Sequence, residues 1–297
     1  MAIACAGGAA AWLFAILTLP MSLSVIASMS QDALMLACTA LAAALLVRLL
    51  RWPEQRNGRL LTVLVIMLVL VATARVTNAG LALLPLALTT FRLRSRVLAA
   101  AAVAGCAAIW SGIASATALS NFGGPFGYNP TAQLAGLLAH PLAIGPLAWH
   151  TLALYWPSYA DSFIGRLGWL DTGLPWPYHV AAWAMLGVAA VAAMLGLRGK
   201  PIGVVSRLAI VAGVLAATGA LFAIQYLTWT DVGKAVVDGV QGRHLLPIAV
   251  AGAALLPALG DTRLERLHKP LVLVVAAFPL ITVAVVTQAV VVRYYLG

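Results

Sequence analysis

Arg243 and His244 stand where a polar loop runs into an apolar stretch, in VQGRHLLPI over 240–248. A guanidinium is planar, permanently charged and able to grip two phosphate oxygens at once, and an imidazole can donate or accept a proton. Gly239 and Gly242 let the backbone turn tightly there. Gln241, Arg243 and His244 therefore project just above the next apolar run, as an anchor for an anionic group such as a lipid phosphate. The competing account is a long cation snorkelling to a membrane interface.

Arg75 poses a related question in ARVTNAG, residues 74–80, between two short apolar blocks. A charge at the centre of a membrane helix costs about 2.5 to 3.5 kcal/mol on insertion scales, so Arg75 should face a polar cavity or partner, with Asn78 nearby. Otherwise it marks the outer turn of a tight hairpin. Asp32, in SMSQDALML, reads first as a helix cap: Ser30 or Asp32 can accept from free amides, and a negative charge suits a helix N-terminus. A role in a site comes second. Further titratable groups gather in and just after the long stretch 117–177, namely His140, His150, Asp161, Arg166, Asp171 and His179. They suggest a polar site under an aromatic lid. The plainer alternative has Asp171 closing the turn in LDTG, with Trp169, Trp176 and Tyr178 forming an interfacial belt. No His or Cys spacing suits a metal, so no metal ligands are assigned. Cys5, Cys38 and Cys106 all lie in apolar blocks and read as small buried hydrophobes.

The elements that must position these residues follow from composition. Of 297 residues, 63% are hydrophobic and 9% charged, with a mean hydropathy of +1.00, far outside the range of a water-soluble domain. A hydrocarbon core of roughly 30 Å takes about 20 helical residues, and lipid leaves no backbone group unpaired, so the expected fold is all-α. The Ala/Leu/Val blocks do not alternate as barrel strands would. The sequence predicts one polytopic membrane domain over 1–297 with spans near 8–27, 33–50, 60–74, 79–91, 97–116, 178–197, 205–226, 244–260 and 270–292. The third and fourth are short and meet at Arg75, as a broken or re-entrant pair would.

Basic residues accumulate on the cytoplasmic side of membrane proteins. With the N-terminus inside, the inner linkers hold thirteen Lys and Arg against four outside, and Arg75 lies between. The C-terminus is then outside. The pI of about 10.2 belongs to this orientation and to anionic lipid, which makes nucleic acid the poorer partner. MAIACAGGAAAW has no basic n-region and does not read as a signal peptide. The stretch 117–177 is too rich in Gly and Pro for one long helix and too aromatic for a solvated loop. An outer cap of short interfacial helices is expected, one of them starting at Pro130.

The same residues carry a family resemblance. LPMSLSVIASMSQDAL, NPTAQLAGLLAHP, SFIGRLGWLDTGLPW and YLTWTDVG followed by VQGRHLLPI resemble, in order and spacing, the bacterial membrane-protein family of domain of unknown function 2142, from about residue 8 to 260. Members of that family are similar to the GT-C class of membrane glycosyltransferases, which take sugars from polyprenyl-phosphate donors on the outer face. The resemblance implies a multi-pass protein of the bacterial inner membrane that works with a lipid-linked sugar donor and a cell-envelope glycan acceptor. Arg243, Gln241, Arg166 and Arg75 are then the phosphate-binding candidates, and Asp161, Asp171, Asp32 and His244 the catalytic ones. No cofactor is evident, and a metal requirement is left open. The chain departs from the family in three places. His244 replaces a Tyr, RVTNAGLALLP replaces a Lys-Pro-Tyr cluster, and there is no acidic first outer loop, as if an N-terminal part were missing. Two other functions stay open: a transporter lined by Arg75 and the broken pair, and a non-catalytic scaffold for envelope polysaccharide assembly.

Overall fold

The computed structural model describes residues 2–28, 30–55, 57–118, 129–168, 170–259 and 264–296. Arg56, Trp169, Asp261, Arg263 and the part of the expected cap at 119–128 lie outside them. A short helix α1 (Ala2–Cys5) leads into α2 (Ala10–Leu17) and α3 (Pro20–Ala27). Pro20 opens α3 and Leu19 before it is extended, so the first apolar stretch bends by 77°. Next come α4 (Gln31–Arg51), α5 (Gly58–Ala74) and a 3-10 segment over Val76–Ala87. Then follow α6 (Leu93–Ala118), α7 (Pro130–Ala139) and α8 (Ile144–Ile164).

A two-residue hairpin, β1 (Arg166–Leu167) with β2 (Thr172–Gly173), pairs antiparallel and leads into α9 (Trp176–Gly196) and α10 (Val204–Trp229). A 3-10 turn over Gly242–Leu245 starts α11 (Leu246–Ala251), and α12 (Glu265–Val291) closes the chain.

The architecture is all-α, as composition dictates. Among the described residues five helices are long and apolar enough to cross a membrane, or up to seven if each of the two bent pairs counts as one span, where nine crossings were expected. The second bent pair, Pro130–Ala139 with Pro141–Ile164, lies in the stretch expected as a cap, and three of the nine expected blocks fall short. The block at 79–91 is a 3-10 segment ending at Ala87, α5 has only 17 residues, and the apolar run beginning at Gly242 ends at Leu255.

The centre is α4, whose Leu36, Leu46 and Leu49 are fully buried. Helices α6 and α12 expose most of their apolar surface. Lipid has no hydrophobic preference for itself over a helix, so the backbones meet through small residues. A Cβ on Gly80 would lie 2.2 Å from the Ala217 amide nitrogen, and one on Gly8 2.2 Å from the Gly196 carbonyl oxygen. Gly80 thus seats the 3-10 segment on α10, where Ser206 Oγ also donates to the Ala87 carbonyl at 2.6 Å.

The expected cap is more helical than its composition suggests. Pro130 opens α7, as anticipated, and the Asn129 side chain accepts from the Ala132 amide at 3.0 Å. The following helix is not short, because α8 runs 21 residues and meets α7 at 101°. Pro146 falls in its first turn, where no helical N–H partner is lost.

Two side chains need correcting. Tyr178 belongs to no interfacial belt, since it is buried, stacks on Phe278 and shares a hydrogen bond of 2.8 Å with Thr282 Oγ1. Cys38 is buried, but Cys5 is only partly so and Cys106 is exposed on α6.

Candidate functional site

Asp32 lies in the first turn of α4, but neither it nor the N-cap residue Ser30 caps the helix through its side chain. Its carboxylate instead receives Arg75, whose Nε donates to Oδ1 at 2.8 Å and Nη2 to Oδ2 at 2.7 Å. This fork-to-fork pair is mostly shielded, with side-chain exposures of 26% for Arg75 and 14% for Asp32. Arg75 can reach it because α5 ends there: its backbone is extended, and the chain restarts as the 3-10 segment. One helical turn beyond Asp32, Met35 Sδ accepts from Asn78 Nδ2 at 3.0 Å, so both side chains of the broken pair grip one face of α4. Arg75 therefore faces a polar partner. Asn78, expected beside it, packs on Met35.

The turn carrying Arg243 is built on α8. The Gly242 amide donates to Ser162 Oγ at 2.8 Å, and a Cβ on Gly242 would lie 2.1 Å from the Tyr159 carbonyl oxygen. Only glycine fits there. The turn closes on itself, with the His244 amide donating to the Gln241 carbonyl at 3.0 Å and the Gln241 amide to His244 Nδ1 at 3.4 Å. Gly239, at φ +76, sits against the Trp229 ring, and its carbonyl accepts from Gln225 Nε2 at 2.8 Å.

The loop before the turn is tied to α7 and α8. Buried Gln133 donates through Nε2 to the carbonyls of Tyr226, Thr230 and Asp231, and its Oε1 accepts from the Gly233 amide at 3.1 Å. Tyr155 OH donates to Asp238 at 2.9 Å, and Lys234 pairs with the same carboxylate. That bond raises the Lys234 ammonium above its ordinary range. Lys234 and Asp238 are thus spent on each other within the loop.

Arg243, Asp32 and Val25 line two adjoining clefts. The inner one, with Arg75, His244 and Pro247, has about 10 Å³, room for roughly one water. The outer one has about 170 Å³ and is lined by Ser24, Ser28, Ser30, Asp32, Arg166, Gly168 and Arg243. Arg243 Nε is buried with no hydrogen-bond partner among the described residues. Arg166 lies 3.7 Å from Asp161. Three guanidiniums against Asp32 and Asp161 leave one formal positive charge in excess, beside the side chains of Ser24, Ser28 and Ser30, of which Ser28 Oγ already donates to the Val25 carbonyl at 2.7 Å.

The structure thus brings Asp32, Arg75, Arg166, Arg243 and His244 together around these clefts, while Gln241 supports the turn. Asp161 stands one step away, bound to Arg166 and 3.1 Å from His179 Nε2. Asp171 does not join them, because its Oδ2 accepts from Arg293 Nη2 at 3.2 Å and it lines a separate cleft against α12. His140 and His150 are exposed and apart from the clefts. Among the described residues no three His, Cys, Asp or Glu gather as metal ligands. Sequence reading missed Ser24, Ser28 and Gln133. The serines recur through LPMSLSVIASMSQ at intervals of two to four, a polar stripe on an otherwise apolar stretch, and that was the available signal.

Comparison with known proteins gives one positive result. The family model described as a predicted membrane protein (DUF2142) matches residues 1–251. No curated protein and no solved structure matches.

Proposed function

The chain belongs to the DUF2142 family of predicted membrane proteins, and from that premise and the arginine cleft we propose that it binds the phosphate of a polyprenyl-linked sugar and transfers the sugar to a cell-envelope glycan. The observation that carries this reading is the convergence of Arg166 and Arg243 with Asp32 on one cleft of about 170 Å³. Arg243 and Arg166 hold the phosphate. Asp32 serves as the base, because a carboxylate has about four lone-pair sites and Arg75 occupies two of them.

In the transfer, the acceptor hydroxyl oxygen attacks the anomeric carbon. The bond from that carbon to the phosphate oxygen breaks, its electron pair stays on the phosphate, and the hydroxyl proton passes to Asp32. The two guanidiniums stabilise the charge that develops on the leaving phosphate.

In this proposal the cleft lies at the outer face of a bacterial inner membrane, with α7 and α8 as its cap, the N-terminus inside and the C-terminus outside. The distribution of Lys and Arg supports that orientation. Purified protein in nanodiscs, given radiolabelled polyprenyl-phosphate sugar and neutral glycan acceptors, should release polyprenyl phosphate and label the glycan. Asp32→Asn should abolish labelling while donor binding persists. A donor that stays intact with every acceptor, and that binds Arg243→Ala as well as the parent protein, would overturn the proposal.

A second reading, a transporter, is favoured by the break between α5 and the 3-10 segment at Arg75. It requires counterflow in proteoliposomes that Arg75→Ala abolishes and Arg243→Ala spares.

A further inference from the structure

Beside the arginine cleft, across Arg166, lies a second pocket of about 240 Å³ lined by Trp156, Pro157, Ala160, Asp161, Trp176, His179, Val180 and Trp183. Three indoles line it, 61%, 75% and 41% exposed in that order. Trp183 is fixed in place by stacking on Phe163, with ring centroids 5.5 Å apart. The floor holds Asp161 and His179, with His179 Nε2 3.1 Å from Asp161 Oδ1 and its side chain only 4% exposed.

A membrane-interface belt explains the tryptophans but not their convergence on Asp161 and on a buried imidazole whose Nε2 has no hydrogen-bond partner among the described residues. Two chemistries suit indoles above a carboxylate, a quaternary cation and a sugar ring. The cation is the poorer fit, since Asp161 already has Arg166 within 3.7 Å as a counter-charge. A sugar ring needs no net charge. Its C–H face lies on an indole, and its hydroxyls donate to the carboxylate and exchange hydrogen bonds with the imidazole. At 240 Å³ the pocket falls below the roughly 300 Å³ at which drug-sized sites begin, so it has room for one ring.

We propose that the pocket of Trp156, Trp176 and Trp183 over Asp161 and His179 binds one sugar ring of a glycan. Its role as the acceptor subsite rests on the transferase reading above, whereas ring binding itself rests on this pocket alone. Arg166 touches both places: it lines the phosphate cleft and pairs with the carboxylate at the pocket floor. A phosphate on one side and a ring on the other would therefore meet at Arg166.

The test is saturation-transfer difference NMR on the full chain in nanodiscs with methyl glycosides of glucose, galactose, mannose and arabinose, and with tetramethylammonium as the cationic alternative. At least one glycoside should give saturable ring-proton signals. Trp176→Ala should weaken binding about tenfold, the scale of one lost aromatic contact, and Trp176→Phe should recover part of it. Asp161→Asn should weaken it without changing the elution profile or melting temperature. Arg243→Ala should leave glycoside binding unchanged while farnesyl phosphate binding weakens about ten- to hundredfold, which separates this site from the phosphate cleft. Absence of signal from all four glycosides overturns the proposal, as does tetramethylammonium binding in their place or glycoside binding indifferent to both Trp176→Ala and Asp161→Asn. Farnesyl phosphate bound equally by Arg243→Ala would instead sink the transferase reading and leave the ring site standing.

Discussion

Arg75 and Arg243 line the same inner cleft and do different work. Arg75 is committed to Asp32 through two short hydrogen bonds, and removing it leaves a largely shielded carboxylate without its counter-charge. Arg75→Ala should lower unfolding stability by about 1 to 3 kcal/mol, below the range for a fully buried pair because water reaches part of this one. The double variant Arg75→Ala/Asp32→Ala should be more stable than Arg75→Ala alone, and chemical unfolding in micelles reads both. Arg243 has no hydrogen-bond partner at Nε among the described residues, so Arg243→Ala should leave stability nearly unchanged. It should weaken farnesyl phosphate binding about ten- to hundredfold, the worth of one or two charge-assisted hydrogen bonds. A large stability loss in Arg243→Ala would mean that the guanidinium is structural. Both arginines were legible in the sequence as charges out of place. The partner of Arg75 was not, because a first-turn aspartate satisfies local capping logic, and its true contact lies 43 residues away.

At the scale of elements, the site depends on one turn lying directly on α8. A Cβ at Gly242 would meet the Tyr159 carbonyl at 2.1 Å and the Phe163 amide nitrogen at 2.3 Å, both rigid backbone. Gly242→Ala must therefore lift the turn and break its bond to Ser162, at about 1 to 3 kcal/mol by analogy with overpacked cores. Phosphate binding should fall with it although every charged residue remains, and unchanged farnesyl phosphate affinity would show that the turn tolerates the shift. Gln133 works on the same assembly from α7 by satisfying three carbonyls and one amide of the neighbouring chain. Gln133→Leu should speed amide exchange across 230–242 while α9 stays protected, and uniform protection would refute the role given to Gln133. The long helices were readable from hydropathy alone. The elements around the site were not. The 3-10 segment carries an apolar pattern that fits either helix type, and the close seat of Gly80 on α10 is a tertiary contact that the pattern does not reveal. The stretch around α8 reads as short pieces because Pro141 and Pro146 look like breaks. The first lies in the 3-10 turn just before α8, and the second sits harmlessly in the opening turn of the helix.

For the whole molecule, the decisive relation is between the two ends of the bundle. Helix α9 has 21 residues and so spans about 31 Å, enough to separate its termini by a bilayer core. Its first turn adjoins the β hairpin, Asp161 and the arginine cleft. Its far end meets a basic edge, where Arg198 pairs with Glu265, the Lys200 amide donates to the Arg51 carbonyl at 2.8 Å, and Arg51 Nη2 donates to the Leu256 carbonyl at 2.8 Å. The hydrogen bonds of Gln133, Tyr155 and Gly242 hold α7, α8 and the Arg243 loop together at the first end, whatever compartment that end occupies. Composition already placed most positive charge at one end, and the structure adds that Arg243, whose Nε has no hydrogen-bond partner among the described residues, lies at the other. A single labelling experiment therefore tests the orientation and the integrity of the site together. In a background with Cys5, Cys38 and Cys106 replaced by Ser, cysteines are placed at Gly173, where a Cβ meets nothing within 4 Å, and at exposed Ala235. Both should react with an impermeant maleimide in intact spheroplasts. A cysteine at Gly203, equally free of neighbours, should react only after permeabilisation. Labelling of 173 and 203 from the same side would deny that α9 crosses the membrane. Labelling of 173 and 235 from opposite sides would separate the aromatic pocket from the loop that carries Arg243, and no cleft shared by Arg166 and Arg243 could then exist.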